Sequence, residues 1–137
     1  VEILNELMGD YSKNIQADSI MVKKIGAGAN PDIARLKGAR LVTCVESSKG
    51  NRLDEGLIKQ MTGGDKITAR FLYGKTLEFT PEFKIWMFTK HKPIIRGTDN
   101  GMWRRTKYVP FEATFTDDIK DPQMPQKLKA ELSGIFN

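Results

Sequence analysis

The sequence holds one cysteine and one histidine in 137 residues. A single thiol excludes an intrachain disulfide framework, and Cys44, inside the apolar run Leu41 to Val45, reads as a small core residue. His91, in Lys90-His91-Lys92-Pro93, has no cysteine or histidine partner nearby, which argues against a metal site there. No apolar run approaches the length of a membrane span, and no stretch reads as a signal peptide, so a reducing cytoplasm is the expected compartment. Repeats and low-complexity tracts are also missing. So is any Gly-rich turn of the pattern Gly, four residues, Gly-Lys-Ser/Thr, whose backbone amides cradle nucleotide phosphates. The chain opens on Val1 rather than Met, within what reads as a helix, and a fragment is expected.

What is present is ordinary globular composition, 39% apolar and 28% charged, in a length suited to one domain over 1–137. The net charge of +5 and pI of about 9.4 suit a polyanionic partner. Domains with no such partner carry as much, so charge alone decides nothing.

Val1, Ile3, Leu4, Leu7 and Met8 lie on one helical stripe that Gly9 can end. Residues 10–29 read as loop, with an edge strand at Ile20 to Val22. Asn30-Pro31 reads as cap and first helical position, and Gly38 as the stop, predicting a short helix over 31–37 that buries Ile33 and Leu36. Arg40 to Glu46 is almost continuously apolar, the pattern of a strand buried on both faces of a parallel sheet. Asn51 is expected to cap a second helix with Asp54 and Glu55 in its first turn, ending at Gly63-Gly64. Lys66 to Phe71 and Lys75 to Phe79 predict a hairpin turning at Tyr73-Gly74. Lys84 to Thr89 reads as a second buried strand, Arg105 to Phe111 as a third broken by Pro110, and Gln126 to Phe136 as a terminal helix. Strands alternating with helices predict an α/β fold with a parallel sheet, the hairpin being an insertion. Ligands of such sheets bind at the carboxyl ends of strands. Glu46 and the Thr89-Lys90 pair stand at two such ends.

Glu46 can hold a magnesium-bound water or orient an attacking water, although a single acid at a strand end is more commonly just solvated. Arg70 and Lys75 flank Phe71 and Tyr73, which suits phosphate contact combined with base stacking; inward-packed aromatics on a solvated hairpin are an equal alternative. Of the twin arginines Arg104 and Arg105, at most one can be a finger for a transferring phosphoryl group, since neighbours on a strand face opposite ways; two surface arginines are as common. Trp86 and Trp103 read as core or interface anchors.

Taken in order, these pieces resemble the helicase domain of the phage and plasmid primase–helicase family, within the superfamily 3 helicases. The resemblance runs almost continuously from about Gly28 to Phe111, and an ordered series of motifs is far more specific than any one of them. It implies a partial AAA+-like P-loop NTPase core lacking its Walker A strand, which would lie between 84–89 and 105–111. By resemblance Glu46 matches the Walker B acid at the magnesium site, and Lys59 to Lys75 matches a motif whose hairpin lines a channel and tracks single-stranded DNA. That places Arg70, Phe71, Tyr73 and Lys75 on the DNA. Arg104 matches the finger reaching a neighbour's ATP better than Arg105 does. Thr89 and Lys90 fall at the nucleotide sensor, where the family has Asn after the Thr; lysine lacks the amide's paired donor and acceptor.

The implied protein is a hexameric, ATP- and magnesium-dependent helicase of phage or plasmid replication in a bacterial cytoplasm, commonly fused to a primase. The chain by itself is expected to bind no cofactor and to have little or no ATPase activity. The competing readings are an ATPase-inactive DNA-binding and assembly module, and an unrelated basic α/β domain.

Overall fold

The computed structural model describes residues 1–22, 31–46, 48–98 and 100–136. Helix α1 (Glu2–Met8) ends at Gly9, whose positive φ of 50° glycine adopts without steric cost. Strand β1 (Ser12–Asn14) follows, then a 3-10 turn over Ala17–Ile20 and helix α2 (Pro31–Ala34). Strand β2 (Leu41–Glu46) enters the core, and helix α3 (Glu55–Thr62) leads to the hairpin β3 (Ile67–Arg70) and β4 (Thr76–Phe79). Strand β5 (Lys84–Thr89), helix α4 (Asn100–Trp103) and the terminal helices α5 (Met124–Ala130) and α6 (Leu132–Phe136) complete the order.

The main sheet runs β1-β2-β5, all parallel, and β3-β4 form a separate antiparallel ribbon. This is the expected α/β fold with an inserted hairpin, laid out as part of a P-loop NTPase-like core. Val42 and Cys44 are wholly buried on the core face of the sheet, and Ile85 and Met87 of β5 pack against the same cluster. Leu36, Met61, Ile67 and Met102 close that cluster from the surrounding elements. On the other face Asn5 of α1 accepts a hydrogen bond from the buried Thr43 hydroxyl at 3.3 Å, while Val45 stays exposed.

Several expectations are corrected. Ile20 to Val22 is not an edge strand: Ala17–Ile20 is a 3-10 turn and Met21 makes a single bridge to Leu53. The edge strand is Ser12–Asn14, too polar to announce itself by alternation; it is held by ladder bonds to β2 and by the Asn14 side chain, which donates to Thr43 O at 3.1 Å. The predicted cap Asn30 lies outside the described residues. Helix α2 ends at Ala34 and continues as a turn to Gly38, with Ile33 and Leu36 buried as expected. Asp54, not Asn51, caps α3, its carboxylate accepting from Leu57 N at 3.0 Å. The helix starts late because Arg52 and Leu53 are extended and paired with Ile94 and Met21.

Residues Arg105 to Phe111 do not form a strand. Arg105 N and Thr106 N bond back to Met102 O and Trp103 O, so the helical turn of α4 consumes the start of the run, and Pro110 has no N–H for a ladder. Tyr108, Val109 and Phe111 stay exposed. Among the described residues nothing pairs with the far side of β5, so that strand is half-covered rather than buried. The terminal helix is two helices, interrupted at Glu131. No described helix is long and apolar enough to cross a membrane.

Candidate functional site

Parallel pairing puts Glu46 and Thr89 directly opposite one another at the carboxyl ends of β2 and β5. Glu46 is only 7% exposed. One carboxylate oxygen accepts from Ser48 N at 2.6 Å and the other from Asn51 Nδ2 at 2.9 Å. The loop after β2 therefore bends back to orient the acid at its end, using an asparagine that sequence reasoning had assigned to a helix cap. Thr89 Oγ1 donates to His91 O at 2.6 Å, turning the chain as it leaves β5, and Lys90 projects exposed from that turn.

Among the described residues no three acids, histidines or cysteines gather as a metal cage. A single oriented carboxylate fits a magnesium ion that arrives with nucleotide phosphates, since that ion is usually held by one or two carboxylates plus phosphate oxygens. The described residues fit the hydrolytic side of a nucleotide site, and among them none supplies a phosphate cradle. Gly74-Lys75-Thr76 spells the end of the cradle signature, but Ala69 stands where its first glycine belongs. The run also lies between two antiparallel strands instead of between a strand and a helix.

Arg104 and Arg105 are distinguished by a helical turn and not by strand alternation. Arg105 Nη1 donates to Gly101 O at 2.5 Å and is half-buried, closing the end of α4. Arg104 is exposed, anchored by its backbone N–H to Asn100 O at 3.1 Å. The two tryptophans are half-exposed and so are not core anchors: Trp86 tilts against Phe88, and Trp103 Nε1 donates to Gly97 O at 3.0 Å.

In the hairpin, Ile67, Ala69 and Phe79 face the core while Thr68, Arg70, Thr76 and Glu78 face out. Phe71, Leu72 and Tyr73 form the tip at 42%, 65% and 101% exposure, so the aromatics do not pack inward. Tyr73 has φ of 58°, a left-handed conformation rare for a bulky residue, and Gly74 N closes the turn on Phe71 O at 3.0 Å. A Cβ on Gly74 would lie 2.8 Å from Phe71 Cβ, so glycine is needed there. Arg70, Phe71, Tyr73 and Lys75 are all exposed on this one projection.

Glu55, read from sequence only as a first-turn acid, reaches across to the loop before α4. Its Oε1 accepts from Arg96 N at 2.8 Å and Gly97 N at 3.0 Å, and its Oε2 also accepts from Gly97 N at 3.0 Å. The Gly97 and then the Arg96 N–H hold its carboxyl below the ordinary 4.5. Nothing in the spacing of Glu55 and Gly97 foretells this, because 42 residues separate them. Burial, and secondarily the charge of Glu46, pushes the Cys44 thiol up to about 11, as befits an inert core residue.

No protein-family model matches the chain. It is 34% identical over 132 residues, 96% of its length, to a protein of Acanthamoeba polyphaga mimivirus named "Putative helicase L207/L206", and 35% identical over 118 residues, 82% of its length, to "Putative helicase 022R" of Frog virus 3. It is 27% identical over 139 residues to "Putative helicase V13" of the Sputnik virophage. The chain spans 13%, 12% and 18% of those proteins. None of these three is a phage or plasmid protein, so the expected bacterial host gains no support from them. Along most of its length, then, the chain is similar to one segment of proteins of large DNA viruses and a virophage that bear a helicase name.

Proposed function

We propose that this chain is part of the ATPase core of a superfamily 3 DNA helicase, working as a ring of identical subunits on single-stranded DNA during replication of a viral genome. The observation that carries the reading is Glu46: nearly buried, oriented by two hydrogen bonds, and set beside Thr89 at the carboxyl ends of adjacent parallel strands. Magnesium arriving with ATP would be held by Glu46 and would supply charge neutralisation on the phosphate oxygens. Glu46 orients water against the terminal phosphate, and Lys90 offers it a mobile point charge in place of a fixed amide. Arg104, exposed at the end of α4, serves the site of the neighbouring subunit, and the hairpin tip grips the strand. Arg105 stays at home, tied to Gly101.

The test is Glu46→Gln in the full-length protein, expected to abolish hydrolysis and unwinding while ATP binding persists. The 137-residue chain by itself should turn over little or no ATP. Normal hydrolysis by the full-length variant overturns the assignment, and turnover by the isolated chain that Glu46→Gln abolishes overturns the expected inactivity of that chain. The absence of a phosphate cradle among the described residues favours a second reading, a DNA-binding and assembly module without hydrolysis. Single-strand affinity indifferent to nucleotide, in a full-length protein with no ATPase activity, would select it.

A further inference from the structure

The segment after Glu46 and the loop before Arg104 are zipped together. Ile94 N donates to Asn51 O at 2.9 Å and Leu53 N to Ile94 O at 3.1 Å, a short parallel bridge. Beyond it the Glu55 carboxylate takes over as acceptor for Arg96 N and Gly97 N. Gly97 O in turn receives the Trp103 indole N–H at 3.0 Å, and Trp103 is the residue before Arg104. At the other end, Asn51 donates its side-chain amide to Glu46. Bonded groups therefore run from Glu46 through Asn51, Ile94, Glu55 and Gly97 to Trp103. A Cβ built on Gly97 would overlap Glu55 Oε2, so the carboxylate occupies the space glycine leaves.

We propose that Glu55 is a positioning residue for Arg104: by fixing Gly97, it fixes Trp103 and so the turn that presents the arginine to the neighbouring subunit. This rests on the reading of Arg104 as a finger acting in trans. Arginine is effective there only if its guanidinium meets charge that develops in the transition state, and a misplacement of about 1 Å can cost roughly 100-fold. Glu55 touches no reacting atom. Its own subunit's site is served by Glu46, which accepts from Ser48 N and the Asn51 amide.

The experiment uses the full-length protein. Glu55→Ala removes the acceptor, and Gly97→Ala leaves Glu55 in place but pushes its carboxylate aside. Glu55→Gln retains one oxygen that can take both amides. Both alanine variants should lower kcat on the order of 10- to 100-fold with KM for ATP unchanged, and Glu55→Gln should keep most of the activity. Hydrogen exchange, read without nucleotide, should quicken across residues 94–105 in the alanine variants and not elsewhere. Mixing either with Glu46→Gln subunits should restore activity, as mixing Arg104→Ala with Glu46→Gln should, because each mixed ring then contains sites with an intact acid and an intact finger.

If Arg104→Ala recovers on mixing and the Glu55 and Gly97 variants do not, the inference fails and the shared site stands. If no pair recovers although mixed rings form, the shared site fails and takes the inference with it. Unchanged kcat, or unchanged exchange over 94–105, also overturns it. Should Glu55→Ala not fold, Gly97→Ala carries the test.

Discussion

Tyr73→Ala isolates what the hairpin tip does. The ring is 101% exposed and touches no core residue, so its removal should change folding stability by less than about 0.5 kcal/mol. If the ring stacks on a base, single-strand binding should weaken by about 1–3 kcal/mol, or roughly 5- to 150-fold. No charge is lost, so the dependence of affinity on salt should keep its slope. Arg70→Ala with Lys75→Ala should do the reverse: two phosphate contacts at about 0.7 each lower the slope by roughly 1.4, and the loss is greatest at low salt. The assay is fluorescence anisotropy of a labelled oligothymidine on the assembled full-length protein, titrated between roughly 50 and 200 mM salt. Because one hairpin offers few contacts, the assay belongs on the assembled protein. Unchanged affinity and slope in all these variants, with assembly intact, would refute the reasoning and leave the hairpin a structural insertion.

Cys44 is 0% exposed with its thiol pushed up to about 11, so a thiol reagent at neutral pH should label it only after denaturation; rapid native labelling would contradict its burial. Leu36→Ala, at a site 1% exposed, should cost about 2–5 kcal/mol in denaturant unfolding. Leu72→Ala at the tip, where the side chain is 65% exposed, should cost less than about 0.5 kcal/mol. The Glu55 carboxyl titrates lower in the folded protein, so its contribution to stability is present above the ordinary 4.5 and disappears as pH falls through the folded value. The stability gap between wild type and Glu55→Ala should therefore narrow on acidification; a gap that widens would reverse the sign of the linkage.

Local chemistry was enough for much of this architecture. An apolar run such as Leu41 to Val45 marks a strand packed into the core, with Val45 alone left exposed, and a hairpin whose inward positions are Ile67, Ala69 and Phe79 declares its own register. The placement of Glu46 and Thr89 at strand ends was legible for the same reason. Other features depended on partners distant in the chain. Ser12–Asn14 has no apolar alternation and becomes a strand because β2 offers it a ladder. Arg105 to Phe111 looked like a strand by composition, yet its first residues close the turn of α4 and Pro110 cannot donate. Asn51 and Glu55 each looked like ordinary helix-start residues. The fold turned one onto Glu46 and carried the other to the amides of Arg96 and Gly97. Periodicity reports which side of an element faces the core, whereas a hydrogen bond between loops reports where two elements end in space, and only the packed structure sets that.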